Sequence, residues 1–333
     1  MEFDKRFNYR QVRECPQESA LPFHYQFGGV DIASDMAFNR LRTASPVNKT
    51  YGRMTVTNEA GPAPVEESRY FRWPGRFGMV LGTAQGVWRF ETPAGVVMAA
   101  HDASLVRVYT HSTDRTLLTD MFVRRVLPRL VKLTGGETYH AASLARDGRA
   151  ILLFGPSGAG KSSMSIGLSI SSGWTILGDD MALVRRDGVE VAAPSGADIA
   201  IWPKTSSAFD LPGRDLNLLT GYDGKQSFRP VEVDGPGVPG ANGYPPVAGL
   251  YFLSRTACEK PSLCRLSRAE ALEQALRQIV LLTPNGMAAR ERVTSVLALN
   301  RMLARVPAWR LDYPSSYAVY PHVSAAIADS LEG

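Results

Sequence analysis

Short bursts of alternating apolar and polar positions mark the front third of the chain. Phe77, Met79 and Leu81, then Val87, Trp88 and Phe90, lie in Arg76–Phe90, and a similar pattern runs through Gly95–Tyr109. Gly82, Gly86 and Pro93-Ala-Gly95 punctuate these segments, which predicts antiparallel strands joined by turns. The first seventy residues are less regular, with Pro46, Gly61-Pro-Ala-Pro64 and scattered aromatics, and read as loops and edge strands. After Thr113 the period changes. Leu117, Leu118, Met121, Phe122, Arg125, Val126 and Leu130 recur three and four apart, predicting a helix that ends at Gly135-Gly136, with its last turn kinked at Pro128. That helix is expected to bridge a β-rich region, residues 1–112, and a second region, residues 113–333.

From Thr138 onward strands and helices alternate. Tyr139–Arg146 and Arg149–Phe154 flank Asp147-Gly148, a two-residue hairpin signal. With Arg146 opposite Arg149, the register carried back along the pair sets His140 opposite Gly155. Trp174–Leu177 reads as a short buried strand ending in Gly178-Asp179-Asp180, followed by a second hairpin, Met181–Arg186 and Val189–Ala192, around Asp187-Gly188. The Pro- and Gly-rich stretch Pro230–Pro246 excludes a packed helix or central strand and reads as a loop or flap. Ala248–Ser254 returns as a strand. Ser267-Arg-Ala-Glu270 is a capping box opening a helix to about Leu282. Met287–Leu303 predicts a further helix, Trp309–Asp312 an edge strand and Pro321–Leu331 a closing helix.

Composition narrows the class. The 333 residues, 44% of them hydrophobic, suffice for one large or two modest domains. The net charge of +5 suits anionic ligands such as nucleotides and acidic peptides. The cations are scattered and mostly arginine, which argues against nucleic acid as a partner. Cys15, Cys258 and Cys264 form no metal-ligand spacing and fit reduced thiols. With no long apolar stretch and no signal-peptide pattern at Met1-Glu-Phe-Asp-Lys-Arg, a soluble cytoplasmic protein without a membrane partner is expected.

The chemistry concentrates where Ala150–Phe154 runs into Gly155, Pro156, Ser157, Gly158, Ala159, Gly160, Lys161, Ser162 and Ser163. Glycines at these spacings between a strand and a helix let the backbone curl around phosphate oxygens, and the helix start adds its unsatisfied N–H groups. Lys161 would neutralise the β- and γ-phosphates of a nucleoside triphosphate, and the Ser162 hydroxyl would ligate Mg²⁺. Asp179 and Asp180 then divide the remaining work: one carboxylate holds the metal or its waters, and the other accepts the proton of an attacking hydroxyl. A positively charged His140, and Lys225 or Arg229 as a clamp, would contact the transferred phosphoryl group.

The series from His140 through Asp147-Gly-Arg-Ala-Ile-Leu-Leu-Phe-Gly-Pro-Ser-Gly-Ala-Gly-Lys-Ser to Gly173-Trp and Leu177-Gly-Asp-Asp resembles the catalytic domain of the HPr kinase/phosphorylase family over about residues 138–186. The resemblance implies an α/β fold with a core related to phosphoenolpyruvate carboxykinase, carrying here a β-rich N-terminal part. Ile201-Trp-Pro203, Leu311-Asp-Tyr-Pro314 and the β-rich front most resemble the branch of HPr kinase homologues that phosphorylates a serine of lasso-peptide precursors. It implies ATP and Mg²⁺ as cofactors, a peptide or protein carrying a serine hydroxyl as partner, and leaves a homo-oligomer open. The family's Glu-x-Arg-Gly-x-Gly run is missing, and Asp198-Ile-Ala-Ile-Trp-Pro stands in its place, where Asp198 could serve as a second metal ligand. Both this and the front half argue against HPr itself as acceptor and against reverse phosphorolysis. A kinase for a small hydroxyl metabolite such as a free amino acid, and a nucleotide-gated NTPase without phosphotransfer, remain alternatives.

Overall fold

Gly28 and Gly29, both at positive φ, turn the chain tightly enough for Phe23–Phe27 (β1) to pair antiparallel with Val30–Ser34 (β2). The computed structural model describes residues 21–38, 41, 50–73, 78–111, 116–211, 224–228, 243–282 and 289–332. Gly52–Glu59 (β3), Ser68–Trp73 (β4), Met79–Ala84 (β5), Val87–Thr92 (β6), Gly95–Ala99 (β7) and Leu105–Thr110 (β8) complete an eight-stranded sheet in the order β1-β2-β3-β8-β7-β6-β5-β4. The expectation of loops and edge strands before residue 70 is corrected here. β2 and β3 lie inside the sheet, and β3 has parallel partners on both sides. Met54, Thr55, Val56 and Thr57 are all buried, so β3 is covered on both faces and shows no alternation to read.

Helical residues Thr116–Met121 (α1), Phe122–Val126 and Leu127–Leu133 (α2) run on from this sheet. Leu118, Phe122, Val123, Val126, Leu127 and Leu130 pack into the sheet's apolar core. The middle segment is a π turn, and the Leu127 N–H donates to the Phe122 carbonyl. The irregularity therefore lies ahead of Pro128, which sits in the first turn of α2, and not at a kink in the last turn. A proline there has no N–H to give and its ring presses on the carbonyl four residues back. Widening the turn before it relieves both conflicts.

Glu137–Tyr139 (β9), Ala141–Arg146 (β10), Arg149–Phe154 (β11), Lys161–Ser172 (α3), Thr175–Gly178 (β12), Ala182–Asp187 (β13), Val189–Ala193 (β14), Ile199–Ile201 (β15), Pro203–Ala208 (α4), Gln226–Phe228 (β16), Val247–Arg255 (β17), Ser262–Arg265 (β18), Arg268–Leu276 (α5), Ala289–Leu303 (α6), Ala308–Tyr313 (β19) and Tyr320–Glu332 (α7) follow. Six strands form a second sheet, β12-β10-β11-β17-β19-β18. Asp147 and Gly148 both take positive φ, and the β10–β11 register runs from Arg146 opposite Arg149 to Ala141 opposite Phe154. One residue short of His140 the ladder ends, because Tyr139 pairs instead with Ala182 of β13. The chain changes sheets at His140.

β19 is not an edge strand as its sequence suggested. It lies between β17 and the short, largely exposed β18, whose polar faces hid it. The capping box at Ser267 has both arms formed, but α5 stops at Leu276. The start of α1 at Thr113, Met287 and most of the Pro230–Pro246 stretch lie outside the described residues. Leu144, Ile151, Leu153 and Tyr251 on one face of the second sheet pack against α3 and α7, while Leu152, Phe154 and Phe252 on the other pack with β13, α5 and α6. β11, β17 and β19 are mutually parallel, and β12 shares their direction because both it and β11 run antiparallel to β10. Gly155, Asp179, Arg255 and Tyr313 therefore stand at the carboxyl ends of strands that point to one edge.

Candidate functional site

At that edge opens a cavity of about 690 Å³, lined by the 157–163 region, Asp179, Asp180, His140, Asp198, Trp202, Lys225, Arg255, Tyr313 and residues of the α1–α2 segment. The sequence brings the first of these together by local means. β11 ends in the 155–160 loop, which closes on itself when the Ala159 N–H donates to the Pro156 carbonyl at 3.1 Å. Gly158 and Gly160 hold φ of 83° and 92°, a region that L side chains avoid. At Gly160 a Cβ would also come within 2.6 Å of the Arg255 guanidinium and of the Tyr313 hydroxyl, so a side chain there strains the backbone and displaces both. α3 begins directly after it, and among the described residues no side chain caps the helix N-terminus. Lys161, Ser162 and Ser163 line the cavity from its first turn, with N–H groups of the kind that bind anions.

Lys161 is held by its own loop. Its Nζ donates to the carbonyls of Gly155 at 2.7 Å and Pro156 at 3.3 Å, and lies 3.3 Å from His140 Nε2. Burial lowers its pKa, against the pull of Asp180 and Asp179. His140 Nδ1 stands 3.1 Å from the Asp180 carbonyl, which can only accept, so Nδ1 carries the proton and Nε2 presents its lone pair to Lys161. Burial, with the Lys161 charge next, holds His140 below its usual value. The expectation of a positively charged His140 is thereby corrected: a neutral ring bridges the lysine and the acidic pair.

Asp179 is the anomaly. Among the described residues neither carboxylate oxygen accepts a hydrogen bond, and both are sealed from solvent although the residue as a whole is half-buried. Burial, and the neighbouring Asp180 charge after it, raise its pKa to about 7, while the nearby Ser162 hydroxyl pulls the other way without the alignment of a hydrogen bond. Asp180 adopts a left-handed backbone at φ 62°, unusual for a non-glycine residue and found where the surroundings enforce it. Among the described residues no group of three or more His, Cys, Asp or Glu could enclose a metal alone. The donor set fits a divalent cation completed by ligand oxygens: a carboxylate with two orphaned acceptors beside a helix-terminal hydroxyl.

The remaining wall is assembled from afar, and of its residues sequence reasoning missed Arg124, Thr205 and Arg255 and the part played by Tyr313. Tyr313 Oη donates to the Ala159 carbonyl, and the Arg255 guanidinium lies 5.9 Å over the Tyr313 ring. Ser163 Oγ meets Thr205 Oγ1 at 3.0 Å, tying α4 to α3. Arg124 bonds Asp120 at 3.2 Å and the Asp198 carbonyl at 3.2 Å. Lys225 Nζ stands 5.5 Å over the half-exposed Trp202 ring, whereas Arg229 lies outside the described residues. Only the proximity of Arg255 and Tyr313 to a loop glycine could have flagged them, and that proximity is tertiary. Counted round the cavity, Arg124, Arg125, Lys161, Lys204, Lys225 and Arg255 face Asp179, Asp180 and Asp198, six cations against three acids.

No protein-family model matches this chain, and no curated protein does. Among solved structures, the Hpr(Ser) kinase/phosphatase of Coxiella burnetii is similar over 59% of this chain and 99% of that one, at 14% identity and a TM-score of 0.27. A likeness of that degree carries no weight for the activity of this chain. Among the described residues no helix is long and apolar enough to cross a membrane.

Proposed function

We propose that this chain is an ATP-dependent phosphotransferase that moves the γ-phosphoryl group to a serine hydroxyl of a peptide, in the manner of HPr kinase-like enzymes. The observation that carries the reading is Asp179, a buried carboxylate with two unpartnered oxygens set beside Ser162, at the mouth of a glycine loop whose following helix is uncapped. Burying a charge without a partner costs several kcal/mol, and a fold retains such a group where a ligand supplies the missing charge. Asp179 and Ser162 would hold Mg²⁺, which when bound offsets negative charge on the β- and γ-oxygens.

The loop 155–160 and the first turn of α3 bind the phosphates as a phosphate loop. Lys161 exchanges its contacts with the Gly155 and Pro156 carbonyls for phosphate oxygens. Asp180, its backbone held by His140, accepts the proton of the acceptor hydroxyl as that oxygen bonds to the γ-phosphorus and the bond to the β–γ bridging oxygen breaks. Lys225 contributes a further cation to the phosphoryl site. His140 serves as a positioning residue for Lys161 and Asp180.

The test is mass spectrometry of serine-containing peptides after incubation with the protein and Mg·ATP, repeated with Asp179→Asn and Asp180→Asn. The expected result is a gain of one phosphate, reduced about 10³-fold or more in each variant. ATP cleaved while every peptide stays unmodified would overturn the peptide acceptor and leave a small-molecule acceptor or an NTPase.

A further inference from the structure

We infer that the nucleoside end of the triphosphate leaves the loop on the side away from the two aspartates, with the Arg255 guanidinium on its phosphate chain and the Tyr317 ring against its base. The inference rests on the phosphotransferase reading and places the half of the nucleotide that this reading leaves open. Strand order sets the direction. Asp179 and Asp180 follow the end of β12, the glycine loop follows β11, and Arg255 ends β17, in the sheet order β12-β10-β11-β17-β19-β18. β12 and β17 are three strands apart, about 14 Å at the spacing of paired strands, and the loop lies between them. With the metal on Asp179 and Ser162, the γ-phosphate takes the acid side, which His140, Lys161 and Asp180 already fill. Past the first turn of α3 the way is closed where Ser163 Oγ meets Thr205 Oγ1 at 3.0 Å. The rest of the chain of phosphates runs over Gly160 toward Arg255.

Arg255 is exposed, lines the cavity and, among the described residues, forms no ion pair. Its Nη2 stands 2.6 Å from the position that a Cβ on Gly160 would take. The guanidinium lies 5.9 Å over the ring of the buried Tyr313, whose hydroxyl donates to the Ala159 carbonyl. A tyrosine tied to the loop thus holds the cation against the loop's last glycine, and a planar fork there fits two phosphate oxygens. Beyond Tyr313, Pro314, Ser315 and Ser316 line the cavity and lead into a single 3₁₀ turn, Tyr317–Val319. The Ser316 N–H donates to the Pro314 carbonyl at 2.8 Å, and its Oγ accepts from the Ala318 N–H at 3.3 Å, which fixes where Tyr317 starts. Of the tyrosines that line the cavity, Tyr313 and Tyr320 are buried and Tyr317 is half-buried. The Tyr317 ring stands edge-on to Phe209 at 5.3 Å and to Tyr320 at 6.3 Å, so it is held in place with part of its surface open to the cavity. Every base has a π face that such a ring can pack against. The exposed ring of Trp202 lies on the acid side instead. Lys225 stands over it at 5.5 Å, and the Lys225 charge bears on Asp179, Lys161 and His140.

The experiment uses the full chain and calorimetry with Mg·ATP, Mg·ADP and Mg·tripolyphosphate, the last keeping the phosphates and lacking the nucleoside. The wild type should bind Mg·ATP at least about tenfold more tightly than Mg·tripolyphosphate. Tyr317→Ala should bring Mg·ATP down to the tripolyphosphate level and leave tripolyphosphate binding unchanged, which also shows that the variant folds. Tyr317→Phe should keep the wild-type values, and Trp202→Ala should leave the difference intact. Arg255→Ala should weaken Mg·ATP and Mg·ADP alike, by about tenfold, and Arg255→Lys by less. An ATP analogue with a photoreactive azide on its base should cross-link to the segment around Tyr317. Equal affinity for Mg·ATP and Mg·tripolyphosphate overturns the inference, as does a cross-link at Trp202. An Arg255→Ala variant that weakens Mg·ATP and spares Mg·ADP puts the guanidinium at the γ-phosphate and overturns it too. Phosphate transfer by a Tyr317→Ala variant of unchanged Mg·ATP affinity overturns this inference alone. The expected binding pattern without transfer to any hydroxyl overturns the phosphotransferase reading and supports the nucleoside site.

Discussion

Buried charge is handled in opposite ways in two regions of this molecule. In the eight-stranded sheet Arg89 is nearly buried, yet it reaches Glu91 at 2.6 Å and the Pro64 carbonyl at 3.1 Å. Where that sheet meets β13, Arg185 is 2% exposed and spends its donors on the Gly28 carbonyl at 2.6 Å and on the carbonyl and hydroxyl of Thr134 at 2.8 and 2.9 Å. At the carboxyl edge of the six-stranded sheet, among the described residues, Asp179 has no hydrogen-bond partner and Arg125 lines the cavity without one. The fold itself supplies the partners of Arg89 and Arg185. A charge left unsatisfied marks where the protein expects something else to complete it.

The comparison can be broken at either end. Arg185→Met should produce the largest loss of stability. It strips donors from the β1–β2 turn and from the end of α2 and leaves their buried acceptors without partners, a cost of about 3 kcal/mol read from the denaturation midpoint in urea. Asp179→Asn should do the reverse in the ligand-free protein, adding stability while abolishing phosphotransfer. The folded-state pKa near 7 lies above the ordinary value of 3.8, so between the two the folded chain holds a proton that the unfolded chain has released. The penalty is therefore absent below about pH 4, grows as the pH rises, and is complete above pH 7. The thermal midpoint of the variant should exceed that of the wild type at pH 8 by the equivalent of up to about 4 kcal/mol, and the gain should vanish at pH 4. Equal midpoints at both values would mean that Asp179 has a partner in solution. Gly160→Ala sharpens the comparison most finely. A left-handed backbone and the displaced Arg255 and Tyr313 should cost about 1–2 kcal/mol of loop stability, seen calorimetrically as roughly tenfold weaker Mg·ATP binding.

What could be read in advance was what the chain determines over a few residues. The Asp147-Gly148 turn fixed the β10–β11 register to its last pair, and hence the position of His140 close to the loop. The capping box at Ser267 and the strand–loop–helix order around Lys161 were legible for the same reason. Pro128 was misread because the helix absorbs it by changing its winding one turn earlier, a choice made by packing against the first sheet. β3 and β18 were missed from opposite directions, the one buried on both faces and the other exposed on both, so neither showed an alternating pattern.

By itself, the sequence determined the local chemistry: a glycine loop before a helix, a lysine and a serine in its first turn, and two aspartates after the next strand. Turn geometry, helix capping and side-chain period act across a few bonds, and the local order of residues alone encodes them. Only the tertiary structure decided the electrical state of those groups. Burial raised Asp179, burial and Lys161 together kept His140 neutral, and the chain crossing from one sheet to the other brought Arg125, Arg255 and Tyr313 to a cavity they share with residues far from them along the chain. Desolvation and Coulomb interaction depend on distance through space, which no local pattern records.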